Sequence, residues 1–216
     1  RTGASAPEAA CEERHGRGVA IVGAGPAGLA AAHELAAMVL EDSGSYASDY
    51  VGKKIAFDDH GEDVLWLITK DMAEYIDDYV KFVRERAVGK ILHVECKLSI
   101  GHITSEDGAT GTSDVVIIDI PNKTIEVIDL KFGMGVRVDA LDNEQLQLYA
   151  LGALEEYSLV TDFERVGMVI HMPRLNHVSD QRAKGLWRVN EALARYSIAE
   201  GYVGPVRLNR ALNPRL

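Results

Sequence analysis

Gly111-Thr-Ser-Asp-Val-Val-Ile-Ile-Asp-Ile120 and Thr124-Ile-Glu-Val-Ile-Asp-Leu-Lys131 are two β-branched runs separated by Pro121-Asn122-Lys123. The runs predict strands over 112–120 and 124–131, and the Pro-Asn-Lys insert predicts a tight turn joining them into a hairpin. Both are apolar on both faces, as strands of a central sheet covered on each side would be. With an even-length loop, pairing sets Asp114 opposite Lys131, and Asp129, two residues before Lys131, shares that face. Two carboxylates and an ammonium then gather at one end of an apolar surface made by Val116, Ile118, Ile120, Ile125 and Val127. Charges in such a place need partners. A hard divalent cation held by oxygen ligands supplies one, and Mg²⁺ with retained waters suits that set better than zinc. Lys131 can then offset charge developing on a phosphoryl oxygen or hold an attacking water.

Working outward, Ile91–Ile100 alternates with a period of two. Leu92, Val94, Cys96, Leu98 and Ile100 share one face, and His93, Glu95, Lys97 and Ser99 the other, which makes Cys96 a buried thiol. Upstream, Asp71 is expected to cap a helix whose apolar positions Met72, Ile76, Tyr79, Val80 and Val83 keep the 3.6-residue period, with Glu74 completing a capping box. Residues 41–62 read as a loop punctuated by Gly44, Gly52 and Gly61, and residues 29–40 as an Ala- and Leu-rich helix. Downstream, a helix is expected from Asp142 to about Tyr157 and a strand near 166–171. The fold class is therefore α/β, with a mixed central sheet, an antiparallel hairpin carrying the chemistry, and flanking helices.

The motifs Gly111-Thr-Ser-Asp114, Ile128-Asp129-Leu130-Lys131 and Gln145-Leu-Gln-Leu-Tyr149 resemble the PD-(D/E)XK nuclease superfamily, specifically its RecB-like exonuclease branch. The run from Asp129 through Leu154, and Met172-Pro-Arg-Leu-Asn-His177 beyond it, is similar to a phage-encoded subgroup of that branch. The resemblance spans residues 29–180 and implies a restriction-endonuclease-like core that hydrolyses DNA phosphodiesters with Mg²⁺ or Mn²⁺. It implies Asp114 and Asp129 as metal ligands, the Leu130 carbonyl as a further one, Lys131 as the catalytic lysine and Glu95 as an acidic group assisting the metal. It also implies His33, in Ala-His-Glu-Leu-Ala, as an N-terminal metal ligand, and Gln145 and Tyr149 as a Q-x-x-x-Y pair lining the DNA side. Gln145 has a plainer reading as the capping-box partner of Asp142. Gly133 and Gly135 suggest close approach of the backbone to a ligand, with a flexible turn as the plainer reading. Lys97, Arg137, Arg174, Arg182, Lys184 and Arg188 are the candidate phosphate contacts, Arg137 and Arg174 foremost. DNA is the expected partner, with phage recombination or single-strand-binding proteins beside it.

A second motif competes at the N-terminus. Gly18-Val-Ala-Ile-Val-Gly23-Ala-Gly25-Pro-Ala-Gly28 followed by Leu29-Ala-Ala-Ala-His33 resembles the opening of a flavoprotein dinucleotide-binding domain, strand, G-x-G-x-x-G and helix in order. The context then departs from that pattern, because Met38-Val-Leu-Glu-Asp42 runs directly off the helix and no second strand ends in a ribose-binding acid. FAD is therefore not expected, and residues 1–28 read as a leader or a divergent segment. Residues 181–216 read as a C-terminal helical extension.

Composition sets outer bounds. The 216 residues, 47% of them hydrophobic, suffice for one substantial core. With 33 acidic against 23 basic residues the formal charge is −10, which excludes nucleic-acid binding by massed Lys and Arg but not a local basic groove. Cys11 and Cys96 are too few for a disulfide framework or a four-cysteine zinc or iron–sulfur site. The glycines in 18–32 break the longest uncharged stretch, so no membrane span is expected there, and a reducing cytoplasm is the simplest setting.

Overall fold

A computed structural model of the chain describes residues 26–59, 62–104 and 107–184. Among them the order is α1 (Pro26–Glu41), a 3-10 turn (Ala47–Tyr50), β1 (Lys54–Asp59), β2 (Glu62–Leu67), α2 (Lys70–Ala87), β3 (Ile91–Ser99) and the single-turn α3 (Gly101–Thr104). There follow β4 (Thr110–Asp119), β5 (Thr124–Leu130), α4 (Glu144–Glu156), β6 (Arg165–Met172), a 3-10 turn (Pro173–Leu175) and β7 (His177–Lys184). Strands β3-β4-β5-β6-β7 form one sheet in that spatial order. The β5–β6 pair is parallel, and every other neighbour in the sheet is antiparallel. The α/β class and the mixed central sheet flanked by helices are as the sequence predicts.

Alternation along β4 and β5 divides the core into two layers. Val115, Ile117, Ile128 and Leu130 pack with α1, α2 and the β1–β2 hairpin, whereas Val116, Ile118, Ile125 and Val127 pack with Leu146, Ala150, Ala153 and Leu154 of α4. The strands are apolar on both faces because both faces are covered.

Strand β3 departs from its expected single apolar face. Leu92 and Val94 pack on the α1/α2 side, but Cys96 and Leu98 pack on the α4 side. The change occurs at Glu95, whose φ of 49° is left-handed. Val94 pairs with Val115 and Cys96 with Ser113, and the ladder skips the Glu95 and Asp114 positions between them. A non-glycine residue in this region costs about 1 kcal/mol or more, and here it turns two consecutive side chains, Val94 and Glu95, toward α1.

The hairpin register is also corrected. Val115 pairs with Ile128 and Asp119 with Thr124, so the turn holds four residues, Ile120 to Lys123, and Asp114 falls across from Asp129 rather than Lys131. The Asp119 carboxylate widens the turn by accepting the Asn122 backbone N–H at 3.1 Å and its side-chain amide at 3.0 Å.

Local chemistry moves several other boundaries. Thr69, not Asp71, caps α2 by accepting the Met72 N–H at 3.3 Å. Asn143, not Asp142, caps α4 by accepting the Leu146 N–H at 3.0 Å. The expected 41–62 loop contains a 3-10 turn and β1, and the expected boundary near residue 180 falls inside β7, so 181–184 are strand rather than helix. The helix after the glycine-rich motif leads into the antiparallel β1–β2 pair, not into a parallel crossover strand. Gly18–Gly25 and Arg188 lie outside the described residues. No helix of the described residues is long and apolar enough to cross a membrane.

Helix α1 has no basic residue in its last turn. Arg84 of α2 serves instead, donating to the carbonyls of Val39 at 2.7 Å, Asp42 at 2.9 Å and Ser45 at 2.9 Å. A guanidinium satisfies orphan C-terminal carbonyls and opposes the negative end of the helix dipole together.

On the same side, β6 presents His171, 3% exposed, against Tyr79 and Phe82 of α2 at ring-centroid distances of 5.5 and 4.8 Å. Burial holds its pKa down to about 4, with the Asp78 carboxylate opposing and Arg86 assisting the shift. The unfolded chain, with an ordinary histidine pKa near 6.5, therefore takes up the proton first, so His171 favours the fold fully above that pH and loses this contribution as pH falls toward 4. The expected loss is up to about 3 kcal/mol. Denaturant unfolding of wild type and His171→Phe between pH 4 and 7 checks this: the variant should show a flatter profile, and equal slopes would contradict a neutral buried His171.

Candidate metal centre

The site forms where β4 and β5 stop pairing, beneath α1. Beyond the Val115–Ile128 pair, Asp114 turns its carboxylate out of the ladder. Its Oδ2 accepts the Leu130 N–H at 2.6 Å and its Oδ1 lies 3.3 Å from Nδ1 of His33 on α1. Glu95 joins through the left-handed turn in β3, and one donor atom from each of His33, Glu95 and Asp114 lies within 4.8 Å of the others. These residues line a small cleft with Tyr79 and Leu130.

Electrostatics within the cleft are those of crowded carboxylates. The Glu95 carboxyl is raised to about 7, first by partial desolvation and then by the charge on Asp114, although the residue faces solvent. Burial opposes protonation of His33, but its hydrogen bond to Asp114 and the fields of Asp114, Asp129 and Glu95 outweigh that and raise its pKa. Tyr79 is 1% exposed, and its hydroxyl has no hydrogen-bond partner among the described residues. An orphaned buried hydroxyl costs roughly 1–3 kcal/mol. A cation held by these three donors would relieve the carboxylate crowding, so the donor set fits a hard divalent ion.

Asp129 stands on the next strand in a separate cluster. It is 4% exposed, and the Lys131 ammonium lies 2.9 Å from Oδ2 and 3.1 Å from Oδ1. Burial and the charge on Asp114 raise the Asp129 pKa, while Lys131 holds it back. Lys131 also donates to Gln145 Oε1 at 3.1 Å, and Gln145 Nε2 donates to the Tyr149 hydroxyl at 2.9 Å. The two α4 residues thus position the lysine, and Gln145 is not a capping-box residue. The expected ligand set is divided accordingly: His33, Glu95 and Asp114 converge, Asp129 sits with Lys131, and Leu130 contributes its N–H to Asp114.

Other predicted residues are scattered. Arg174 lies over the Phe132 ring at 5.3 Å and donates to the Phe132 carbonyl at 3.3 Å, so it braces the segment after Lys131. Arg137 and Lys97 are exposed. Arg182 and Lys184 lie on β7. Sequence reasoning missed Tyr79 as a site residue, since its place in an apolar helical stripe marked it only as core.

These features define an α/β protein with a His/Glu/Asp cluster and a lysine–carboxylate pair at one fork of its sheet. The chain belongs to DUF2800, a family of proteins of unknown function whose profile matches residues 24–200. No solved structure matches it.

Gly111 has a role here that its backbone angles do not reveal. A Cβ at this position would lie 2.5 Å from Cε1 of Tyr149, so only glycine admits the ring. Gly111→Ala should destabilise wild type by about 1–3 kcal/mol through overpacking and cost much less in a Tyr149→Ala background. A double-mutant cycle by denaturant unfolding measures the coupling, and additive effects would remove Tyr149 as the reason for the glycine.

Proposed function

We propose that this chain is a metal-dependent deoxyribonuclease, with Mg²⁺ or Mn²⁺ held by His33, Glu95 and Asp114 and with Asp129 and Lys131 completing the catalytic group. The observation that carries the reading is the pairing, on adjacent strands at one sheet fork, of a three-residue ligand cluster with a buried carboxylate–lysine pair. The RecB-like resemblance supports the reading at His33, Glu95, Asp114 and Lys131, and differs at Asp129 and Leu130, which it implies as further ligands. An imidazole beside two carboxylates suits Mn²⁺ as well as Mg²⁺. The bound cation would polarise the scissile phosphate and lower the pKa of its water.

The chain's own groups do the rest. Asp114 orients His33 and is itself oriented by the Leu130 N–H. The Lys131 ammonium, steered by Gln145, offsets negative charge developing on the phosphoryl oxygens during in-line attack by water. Asp129 holds that ammonium near the fork. Tyr149 fixes Gln145 through its hydroxyl, so the Q-x-x-x-Y pair acts on the lysine before it acts on DNA. An acidic protein making few phosphate contacts should bind DNA weakly and depend strongly on salt.

The direct test is digestion of end-labelled linear and circular DNA with Mg²⁺. Wild type should degrade the linear form, and Asp129→Ala should be at least ~100-fold slower; identical behaviour of the two proteins would sink the assignment. Separately, Mn²⁺ titration should raise the melting temperature of wild type more than that of Asp114→Ala. Equal shifts would remove Asp114 from the ligand set.

A further inference from the structure

The segment that follows Lys131 carries features that neither the core nor the metal centre uses. Met134 is 58% exposed and Val136 87% exposed. Gly133 and Gly135 alternate with them. Neither glycine has a positive φ, a Cβ at Gly135 would meet nothing within 4 Å, and one at Gly133 would meet only the Gly135 nitrogen at 3.9 Å. The fold itself therefore gives no steric reason for glycine at either position.

The segment is nonetheless held in place from both sides. Before it, Phe132 is buried beneath Arg174. After it, the Val138 N–H points to the Met172 sulfur at 3.3 Å, the Ala140 N–H to the Ser179 hydroxyl at 2.9 Å, and Asp139 lies 3.3 Å from His177. Anchored ends, bare peptide planes and outward apolar tips form a ready-made contact surface, one that escapes the entropy cost of ordering a loose loop. Exposed large apolar side chains on an anchored segment mark an interaction surface. Its flanks choose the partner: Lys131 precedes it at the fork, Arg137 follows it exposed to solvent, and the metal-ligand cluster lies across the same end of the sheet.

We infer that Gly133–Arg137 is a nucleobase platform. Met134 and Val136 lie against the faces of unpaired bases next to the scissile phosphate, the glycine peptides let the strand approach closely, and Arg137 takes a neighbouring phosphate. The inference rests on the nuclease reading and narrows its substrate to single strands or frayed duplex ends, since stacked and paired bases hide the faces this surface needs. Apolar side chains that insert between bases act in this way, and base-face contacts are tolerant of sequence.

The test compares binding of two fluorescein-labelled single strands of equal length, one bearing bases and one abasic, in EDTA so that neither is cut. Phosphate contacts are the same in both. Wild type should bind the base-bearing strand about tenfold more tightly, and Met134→Ser/Val136→Ser should lose that preference while keeping the wild-type melting temperature. Gly135→Val, which covers a peptide plane and leaves both tips in place, should weaken the base-bearing strand as well. Equal affinity of wild type for the two strands, or a preference that survives in the double variant, overturns the inference and assigns the surface to a protein partner. Because no metal or cleavage enters the comparison, a wild type that prefers bases yet cuts no DNA would defeat the nuclease reading alone.

Discussion

The carboxylate of Asp114 joins the sheet to the helix above it. One oxygen takes the Leu130 N–H, a donor placed beyond the last β4–β5 pair, and the other meets His33. Without such an acceptor the two strands would part with an unsatisfied amide between them. The fork and the ligand cluster are consequently one construction. The same side chain that ends the ladder without an orphan also draws α1 down, and its charge adds to desolvation in raising the Glu95 carboxyl to about 7.

Architecture was legible in the sequence wherever patterning was strong. The β4–β5 hairpin, the amphipathic α2 and the alternation that makes both sheet faces apolar follow from residue type and period alone. What failed was local. The hairpin register depends on Asp119 hydrogen-bonding to Asn122, a side-chain contact that turns a short loop into a four-residue one. The caps moved by one or two residues because Thr69 and Asn143 stand beside acids that look equally suitable.

The site was legible as a residue list and illegible as a geometry. Motif spacing named His33, Glu95, Asp114, Asp129, Lys131, Gln145 and Tyr149. It could not divide them into a ligand cluster and a lysine-positioning relay, because that division depends on the register and on the left-handed residue in β3. Strict alternation also put Val94 and Cys96 on one face, whereas the backbone at Glu95 assigns them to different layers. Tyr79 shows the converse limit: its apolar body fits the helical stripe, and only the third dimension reveals that its hydroxyl ends at the cleft.

The change of face in β3 also bears on how this protein can diverge. In an ordinary strand a one-residue deletion is fatal chiefly because every side chain then trades faces. Here β3 consists of two short, separately phased halves, so a deletion on the Cys96–Leu98 side of the switch leaves the phase of the Leu92–Val94 half unchanged. Length changes at the outer ends, where β3 meets α3 and β4 begins, should thus spare the Leu92–Val94 and Val115–Ile117 half of the core. The His33, Glu95 and Asp114 cluster sits at the seam between the halves, where neither phase can slip without moving Glu95 or Asp114.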